Sequence, residues 1–226
     1  YESEKYGPSN YAIYMNKDYG NVKGYTFSFT KRYDPVSKTS AFVDYTYQVT
    51  EGNSVNSGSF YYNALSGEQE EKRIVPLAWD QRHILNTNLS VGDPRNWNVG
   101  VISKLSSGWP YTPNVPDANY VPQPNSGRKP WQWRVDMRVH KNFKIGKFNY
   151  LFFMKVYNLL DRRNERYVFN DTGRAGYTYV YQSTQETQGF KNHYGEAGVH
   201  EWSEYQVRPQ YYTSPRSINI GFSVDF

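Results

Sequence analysis

The sequence contains no cysteine and no long apolar run, and these two absences exclude several classes of protein. Without Cys among its 226 residues, the chain can form neither a disulfide framework nor a thiolate metal site. A membrane-spanning helix needs about 20 consecutive apolar residues, and no stretch here approaches that length. The net charge is only +5 and the Lys and Arg residues are scattered, which gives little support to nucleic-acid binding.

Aromatic residues are abundant, and they fall in segments where apolar and polar side chains alternate. Tyr, Phe and Trp make up 18% of the sequence. The clearest segment is "WQWRVDMRVHKNF" (131–143), and similar alternation occurs at 24–31, 41–50, 83–91, 97–105, 148–156 and 217–226. Successive side chains of a strand point to opposite faces, so each segment has one apolar and one polar surface. No helical periodicity competes, and the sequence predicts an all-β protein.

Short and long connections alternate between these segments. The short ones are "DPVSK" (34–38), "GDPRN" (92–96) and "KIGK" (144–147), which have the composition of tight turns. The long polar ones cover about 51–80, 108–130 and 161–214. Outer-membrane barrels have short turns on one rim and long loops on the other. The pattern therefore predicts an antiparallel transmembrane β-barrel, in which closure leaves no unpaired strand edge in the hydrocarbon.

The charged residues agree with this prediction. Lys31 and Lys141 are the charges on apolar faces, and both lie near a short turn, where a long side chain can reach the membrane interface. One polar face carries a charged row that a soluble core could not bury without partners. The predicted lumen-facing polar residues are Arg134, Asp136, Arg138, His140 and Asn219. A soluble carbohydrate-binding β-sandwich is the alternative outside the membrane.

The end of the chain and one internal motif resemble a known family. "SPRSINIGFSVDF" (214–226) is an alternating strand that ends on an aromatic residue. It resembles the last strand of TonB-dependent outer-membrane receptors and the terminal signal that the barrel-assembly machinery reads. The residues that carry this signal are Ile218, Ile220, Phe222, Val224 and Phe226. "VYNLLDRRN" (156–164) resembles the family motif v-x-N-L-F-D, here Asn158, Leu159, Leu160 and Asp161, with Leu160 in place of the usual Phe.

Other segments match the family in the expected order. "NVKGYTFSF", "VDYTYQ" and "PLAWDQRHILN" resemble three earlier strands, with Thr26 where Glu is common. "DTGRAGYT" followed by "RPQYYTSPRSI" is similar to large receptors that have a carboxypeptidase-regulatory-like N-terminal module. The resemblance implies that residues 1–226 are the C-terminal part of a 22-stranded barrel, about its last seven or eight strands. The plug and the TonB-contacting segment are then expected upstream of Tyr1.

The resemblance also implies a function, a location and partners. The function is TonB-dependent uptake of a large nutrient such as a glycan, peptide or siderophore, without enzymatic activity or a cofactor. The location is the bacterial outer membrane, with the C-terminus periplasmic and the long loops extracellular. Expected partners are outer-membrane lipid and lipopolysaccharide, the barrel-assembly machinery, the TonB energy complex through the plug region, and surface lipoproteins or other outer-membrane subunits. The alternative is a free-standing barrel of eight strands that begins with "YAIYM" (11–15) and acts as an anchor or adhesin.

No catalytic or metal site is evident, and the binding candidates lie in the last long connection. "HYGEAGVHE" offers His193, Glu196, His200 and Glu201, but their spacing matches no helical zinc motif, so we predict no metal site. Connections longer than about 15 residues are usually functional or disordered, and Tyr-rich surfaces provide rigid amphipathic contact area. The predicted loop-binding residues are Arg162, Arg163, Arg166, Arg174, Tyr177, Tyr179 and Tyr181.

Overall fold

The chain folds into one antiparallel sheet of seven long strands, with two short strand pairings beside it. The structure is a computed structural model that describes residues 18–53, 73–114, 122–179 and 208–225. The strands are β1 (Gly20–Asp34), β2 (Thr39–Gly52), β3 (Val75–Pro76), β4 (His83–Asp93), β5 (Trp97–Ser106), β6 (Pro110–Tyr111), β7 (Gly127–Arg128), β8 (Gln132–Ile145), β9 (Phe148–Tyr157) and β10 (Ser217–Asp225). The prediction of an all-β, antiparallel protein is confirmed.

The long strands pair in chain order. The sheet runs β1-β2-β4-β5-β8-β9-β10, β3 pairs with the end of β2, and β6 pairs with β7 as a separate ribbon. In the described residues β1 and β10 are the two edges of the sheet, each with one long neighbour. The helical content of these residues is one 3₁₀ turn, Pro209–Tyr211, and no helix among them is long and apolar enough to cross a membrane.

The three short connections have the chemistry of tight turns, as predicted. Asp34 accepts hydrogen bonds from the backbone N–H groups of Val36 and Ser37 at 3.1 and 3.0 Å, and Asp93 does the same for Arg95 at 3.0 Å. Gly146 has a φ of 61°, a conformation that glycine adopts without steric cost. Because the sheet is a meander, these turns lie together at one end, and the long connections lie at the other.

Strand register places every apolar face on the same side of the sheet. Directly paired residues share a face, and one such row crosses five strands: Phe27, Tyr45, Leu85, Leu105 and Trp133. The next row on the opposite face is Ser28, Asp44, Asn86, Lys104 and Arg134. In the described residues no second layer covers the apolar face, so Phe27 and Ile220 are each 67% exposed.

The buried core is small and lies at the long-connection end. Thr50 and Asp80 are the largest side chains with almost no exposure among the described residues. Val168 and Ala175, in the connection after β9, are buried as well. The sheet itself is one layer thick, so the best-packed region is the one where the long connections meet each other. That region is where the predicted binding residues lie.

Candidate functional site

The polar face of the sheet holds the predicted lumen-facing residues together. Arg138 pairs in register with Lys155, and Lys155 pairs with Asn219, so the three side chains lie in one row across β8, β9 and β10. In the same strand, the Nε of Arg134 donates to the Oδ1 of Asp136 at 2.9 Å. His140 lies on this face as well, opposite Asn98 and Phe153. The five predicted residues therefore share a surface, and their position in a lumen stays a prediction.

This polar face is concave. One open cavity is lined by side chains of β1, β2, β4, β5, β8 and β9, which a flat sheet would not bring together. The lining residues on the polar face include Thr30, Phe42, Asn88, Ile102, Asp136 and Lys155. The sheet therefore curves around its polar side, and the apolar side is the outer, convex one. A closed barrel with a wet lumen needs curvature in this direction.

A buried carboxylate joins the connections at the long-connection end. The Oδ1 of Asp80 accepts hydrogen bonds from the N–H and hydroxyl of Thr50 at 2.8 and 3.0 Å. Its Oδ2 accepts from the Nε of Arg82 at 3.0 Å and from the guanidinium of Arg128, which also donates to the Asp80 carbonyl. Burial raises the pKa of the Asp80 carboxyl, but the hydrogen bonds from Arg128, Thr50 and Arg82 outweigh it and hold the pKa below its usual range. Asp80 thus ties β2 and β7 to the segment directly before β4.

A tyrosine ring links the β6–β7 ribbon to the last long connection. The Tyr111 side chain packs against both Gly127 and Gly173, and a Cβ at either glycine would overlap it. Gly173 also has a φ of 67°, which disfavours other residues there. Asn125 extends the same junction, because its side-chain amide donates to the Pro76 carbonyl at 2.7 Å.

The family-like motif after β9 holds the start of the last strand. The amide nitrogen of Asn158 donates to the carbonyl oxygens of Arg162 and Ser214 at 3.1 and 3.0 Å. The Oδ1 of Asp161 accepts the N–H of Arg216 at 2.8 Å, and Asn164 exchanges hydrogen bonds with Thr213. We call Asn158, Asp161 and Asn164 the β9–β10 clamp, because they fix residues 213–216 directly before β10.

The same motif is joined to β8. The N–H of Asn158 donates to the Oδ1 of Asp136 at 2.8 Å, and Asn164 pairs with the backbone N–H and carbonyl of Trp133 at 2.9 and 3.0 Å. Asn158 and Asp161 adopt positive φ values of 54° and 50°, which Asn and Asp tolerate better than most residues. Leu159 and Leu160 continue the turn, and Leu160 is exposed. In the described residues, the contacts of Asn158, Asp161 and Asn164 hold the segments before β10 and at the start of β8 together.

Two of the predicted loop-binding arginines are already engaged. The guanidinium of Arg174 donates to both carboxylate oxygens of Glu165, at 2.7 to 3.3 Å, and Glu165 also accepts the N–H of Ala175. This pairing raises the pKa of Arg174. Arg162 donates to the Oδ1 of Asn164 and to the Trp131 carbonyl at 3.2 and 3.4 Å. Both side chains therefore shape the connection, and a role in binding stays a prediction.

The other predicted loop residues present themselves to solvent. Arg163 and Arg166 are exposed. Tyr177 and Tyr179 are 42% and 73% exposed, with their rings edge to face at 5.7 Å. Tyr181 lies outside the described residues, as do His193, Glu196, His200 and Glu201 of the histidine-containing stretch. In the described parts of the chain, no group of three or more His, Asp or Glu side chains is placed to hold a metal ion.

Lys129 is a further cation at this end, and the sequence pattern does not indicate it. The Nζ of Lys129 lies 5.8 Å from the centre of the Tyr167 ring, and the guanidinium of Arg166 lies 5.4 Å from the same ring. Lys129 also donates to the Arg166 carbonyl at 3.1 Å. The sequence signal is weak, since Lys129 and Arg166 are 37 residues apart.

Aromatic side chains form a band at each end of the apolar face. The long-connection band contains Tyr25, Tyr47, His83 and Trp131, whose neighbouring rings are 5.1 to 5.6 Å apart. The turn-side band contains Phe143, Tyr150 and Phe222, with ring separations of 5.3 to 6.3 Å. Of the predicted assembly-signal residues, Ile218, Ile220, Phe222 and Val224 are exposed on the apolar face, and Phe226 lies outside the described residues.

Comparisons with protein-family models, with curated proteins and with solved structures give no match to this chain.

Proposed function

We propose that this chain is part of the wall of a transmembrane β-barrel in a bacterial outer membrane, and that the barrel belongs to a TonB-dependent transporter. The observation that carries the proposal is the continuous apolar face across all seven long strands. Phe29, Ile220 and Phe222 are 61%, 67% and 57% exposed there. Exposed apolar patches larger than several hundred Å² normally mark a surface that is covered by a partner or a membrane. Lipid is the cover that fits a face of this extent.

The spacing of the aromatic bands supports lipid as that cover. Trp131 of the long-connection band and Phe143 of the turn-side band are 12 positions apart. At about 3.3 Å per residue this is about 40 Å along the chain. Strands in outer-membrane barrels tilt by about 35–45°, which reduces the height to about 28–32 Å, enough for two girdles to flank the apolar band of about 25 Å in such barrels. The bands thus have the separation of two interfacial girdles.

The two edges of the sheet would need further strand pairing in a membrane. An unpaired strand edge in hydrocarbon would leave backbone N–H and C=O groups without hydrogen bonds. Two arrangements would supply hydrogen-bond partners for the outer edges of β1 and β10. Either further strands of the same protein pair with these edges, or the strands of this chain close on themselves into a small barrel. A small eight-stranded barrel and a large one both meet this requirement. The family resemblance of the last two strands favours the large one.

The transporter assignment rests on the motif resemblance together with the curved polar face. In this reading the concave surface with Arg134, Asp136, Arg138 and Lys155 faces a wet lumen that a plug domain would fill. The long connections, held together by Asp80 and the β9–β10 clamp, form part of the extracellular mouth that captures a glycan, peptide or siderophore. The energy complex would act through the plug, so the residues of this chain supply the wall and the mouth. We propose no catalytic role.

Single-cysteine labelling in lipid vesicles tests the barrel. The chain has no Cys, so Ile220→Cys and Ser223→Cys each give one labelling position, on opposite faces of β10. A fluorophore at position 220 should be quenched by brominated lipid chains, and one at position 223 should not. Equal quenching at both positions, or none at 220, would contradict a lipid-facing apolar surface.

The mass of the mature protein tests the transporter. A plug and a complete barrel require a product several times longer than 226 residues. Intact mass spectrometry of the protein from its native membrane should therefore give a mass well above 26.5 kDa. A mature protein of 26.5 kDa in the outer membrane would contradict the transporter and favour the small anchor or adhesin.

A further inference from the structure

Two cations share one exposed tyrosine ring at the long-connection end. Lys129 and Arg166 place their charged groups 5.8 and 5.4 Å from the centre of the Tyr167 ring, which is 49% exposed. The hydrogen bond from Lys129 to the Arg166 carbonyl keeps the lysine at this position. The attraction of each cation to the ring partly offsets the repulsion between the two like charges.

Among the described residues, no carboxylate forms an ion pair with either cation. Glu165 is adjacent to Arg166 in sequence, but its oxygens are occupied by Arg174 and by the N–H of Ala175. Asp171 accepts hydrogen bonds from Thr178 and Tyr179. Burial lowers the pKa of Lys129 because it disfavours the charged form, and no anion among the described residues offsets this effect. A bound anion would supply that compensation.

The position of this pair relative to the membrane points to the source of the anion. Lys129 comes two residues before Trp131, a member of the long-connection aromatic band. Arg162, in the same connection as Arg166, donates to the Trp131 carbonyl. Aromatic girdles lie at the level of the lipid headgroups, so the cations lie at that level or just outside it. Lipid headgroups with their phosphate groups lie at that same level.

We infer that Lys129, Arg166 and the ring of Tyr167 form a binding site for a phosphate group of an outer-leaflet lipid. The inference rests on the proposed membrane barrel. A guanidinium presents a planar pair of donors that matches phosphate oxygens, and an ammonium adds a compact point charge. The lipid would fasten the last long connection to the membrane surface on the side of β8.

Lipid A binding to the full chain in detergent tests the site. The probes are lipid A with both phosphates and lipid A from which the phosphates have been removed, and native mass spectrometry reads the fraction of protein that retains one lipid. The Lys129→Gln/Arg166→Gln double variant should lose affinity for phosphorylated lipid A by about tenfold or more. The unaltered chain should show a similar loss with the dephosphorylated lipid, which tests the phosphate without any substitution.

The matched control removes two cations from the opposite end. Arg95 and Lys147 lie in short turns and are exposed, so Arg95→Gln/Lys147→Gln changes the net charge equally and should bind lipid A as the unaltered chain does. The proposed site would be wrong if the Lys129/Arg166 variant bound lipid A as tightly as the unaltered chain. It would also be wrong if the Arg95/Lys147 control lost as much affinity as the Lys129/Arg166 variant. If inorganic phosphate displaces lipid A when the two are present at about the same concentration, the site binds a free phosphate anion. That result would overturn the assignment of the anion to a lipid.

This outcome is separable from that of the proposed barrel. The labelling of positions 220 and 223 reports membrane insertion without reference to Lys129 or Arg166. A chain that inserts normally but binds lipid A equally well with both cations removed contradicts the lipid site alone. A chain that fails to insert contradicts the barrel, whatever its affinity for lipid A.

Discussion

At the scale of single residues, Asp80 is the position where a small chemical change should cost most. Asp80→Asn removes the charge that Arg82 and Arg128 share and leaves both guanidinium groups beside a neutral amide. The two arginines keep about a third of their side-chain surface exposed, so water relieves part of the loss. We expect the free energy of unfolding to fall by about 2–3 kcal/mol, measured by urea titration with Trp fluorescence.

An exposed pair of the same chemistry is the control for Asp80. Asp93 lies 4.0 Å from Arg95, whose side chain is 95% exposed. Asp93→Asn should change the free energy of unfolding by about 0–1 kcal/mol, as for other surface ion pairs. Equal effects of the two substitutions would show that the buried network adds no stability beyond a surface pair.

The pH dependence of stability follows from the direction of the Asp80 pKa. The folded-state pKa lies below its usual value, so the ionised carboxylate stabilises the fold at pH above the unfolded-state pKa of about 3.9. That contribution is lost as pH falls through the folded-state pKa. Urea titrations should therefore show a stability difference between the unaltered chain and Asp80→Asn that is full at neutral pH and shrinks in acid below about pH 4. A difference that grows on acidification would contradict the direction of the shift.

Two glycines on the polar face should respond differently to the same substitution. A Cβ at Gly221 would overlap the ring of Phe153, its partner on β9, whereas a Cβ at Gly100 has its nearest neighbour at 3.9 Å. Gly221→Ala should lower the free energy of unfolding by about 1–2 kcal/mol. Gly100→Ala should leave it unchanged or raise it by a few tenths of a kcal/mol.

A double-mutant cycle isolates the cause at Gly221. With Phe153→Ala in the background the ring is gone, so Gly221→Ala should no longer destabilise the chain in the urea titration. If the penalty at Gly221 persists without the ring, the ring is not its source.

At the scale of elements, the β9–β10 clamp should determine how firmly the last strand is held. Glycine also tolerates the positive φ of 54° at position 158. Asn158→Gly therefore leaves the backbone unstrained but removes the side-chain hydrogen bonds to Arg162 and Ser214. We expect a loss of about 2–3 kcal/mol in the free energy of unfolding. Relative to the unaltered chain, the backbone amides of β10 in the variant should exchange with deuterium faster, and this increase should be larger than that in β4 and β5.

Two variants bracket the clamp prediction. Asn158→Ala adds the strain of a positive φ to the same loss of hydrogen bonds, so it should be less stable than Asn158→Gly by about 1 kcal/mol. Asn88→Ala removes an exposed Asn on the polar face of β4 and should leave β10 exchange unchanged. Faster exchange across the whole sheet in Asn158→Gly would mean that the clamp supports the entire fold and not β10 in particular.

At the scale of the whole molecule, the two faces of β10 distinguish a membrane from water. Ile220 is 67% exposed, so Ile220→Arg would cost little in a water-soluble sheet. On a lipid-facing strand the same substitution costs between about 1 and about 4 kcal/mol, because the cost rises with the distance from the interface. We expect Ile220→Arg to reduce assembly into the outer membrane, measured as heat-modifiable, protease-resistant protein in the membrane fraction.

Ser223→Arg and Phe222→Arg are the controls for this prediction. Ser223 lies on the polar face, where Asp225 is two residues away on the same side, so an arginine there should be accepted. Phe222 belongs to the turn-side aromatic band, and an arginine near an interface costs about 0–1 kcal/mol, so its effect should be intermediate. Equal assembly of all three variants would contradict the assignment of one face of β10 to lipid and the other to the lumen, which the barrel requires.

Much of the fold could be predicted from local patterns in the sequence. The alternation at 131–143 places β8 (Gln132–Ile145) within two residues, and the turn residues at 92–96 and 144–147 place two hairpins. Side-chain direction in a strand changes with every residue, so a local pattern is enough to assign each face. The same reasoning could not find Asp80, because its partners Thr50 and Arg128 are 30 and 48 residues away.

The binding candidates show the same limit. The Tyr-rich connection predicts a binding role for Arg174, but the fold pairs Arg174 with Glu165 nine residues earlier. No local pattern indicates Lys129, and only the contact with Tyr167 brings it to the same surface as Arg166. Whether a loop cation is engaged or available depends on which other connections lie beside it, and a local pattern does not contain that information.

The secondary structure, the alternation of turns and connections, and the apolar or polar character of each strand face follow from the sequence, because they depend on neighbours one or two residues apart. The folded structure places all seven apolar faces on one convex side, and no local pattern specifies this because it depends on register between strands. The folded structure also joins the long connections through Asp80, Tyr111 and the β9–β10 clamp. Those contacts form between residues tens of positions apart, so chain proximity does not specify them.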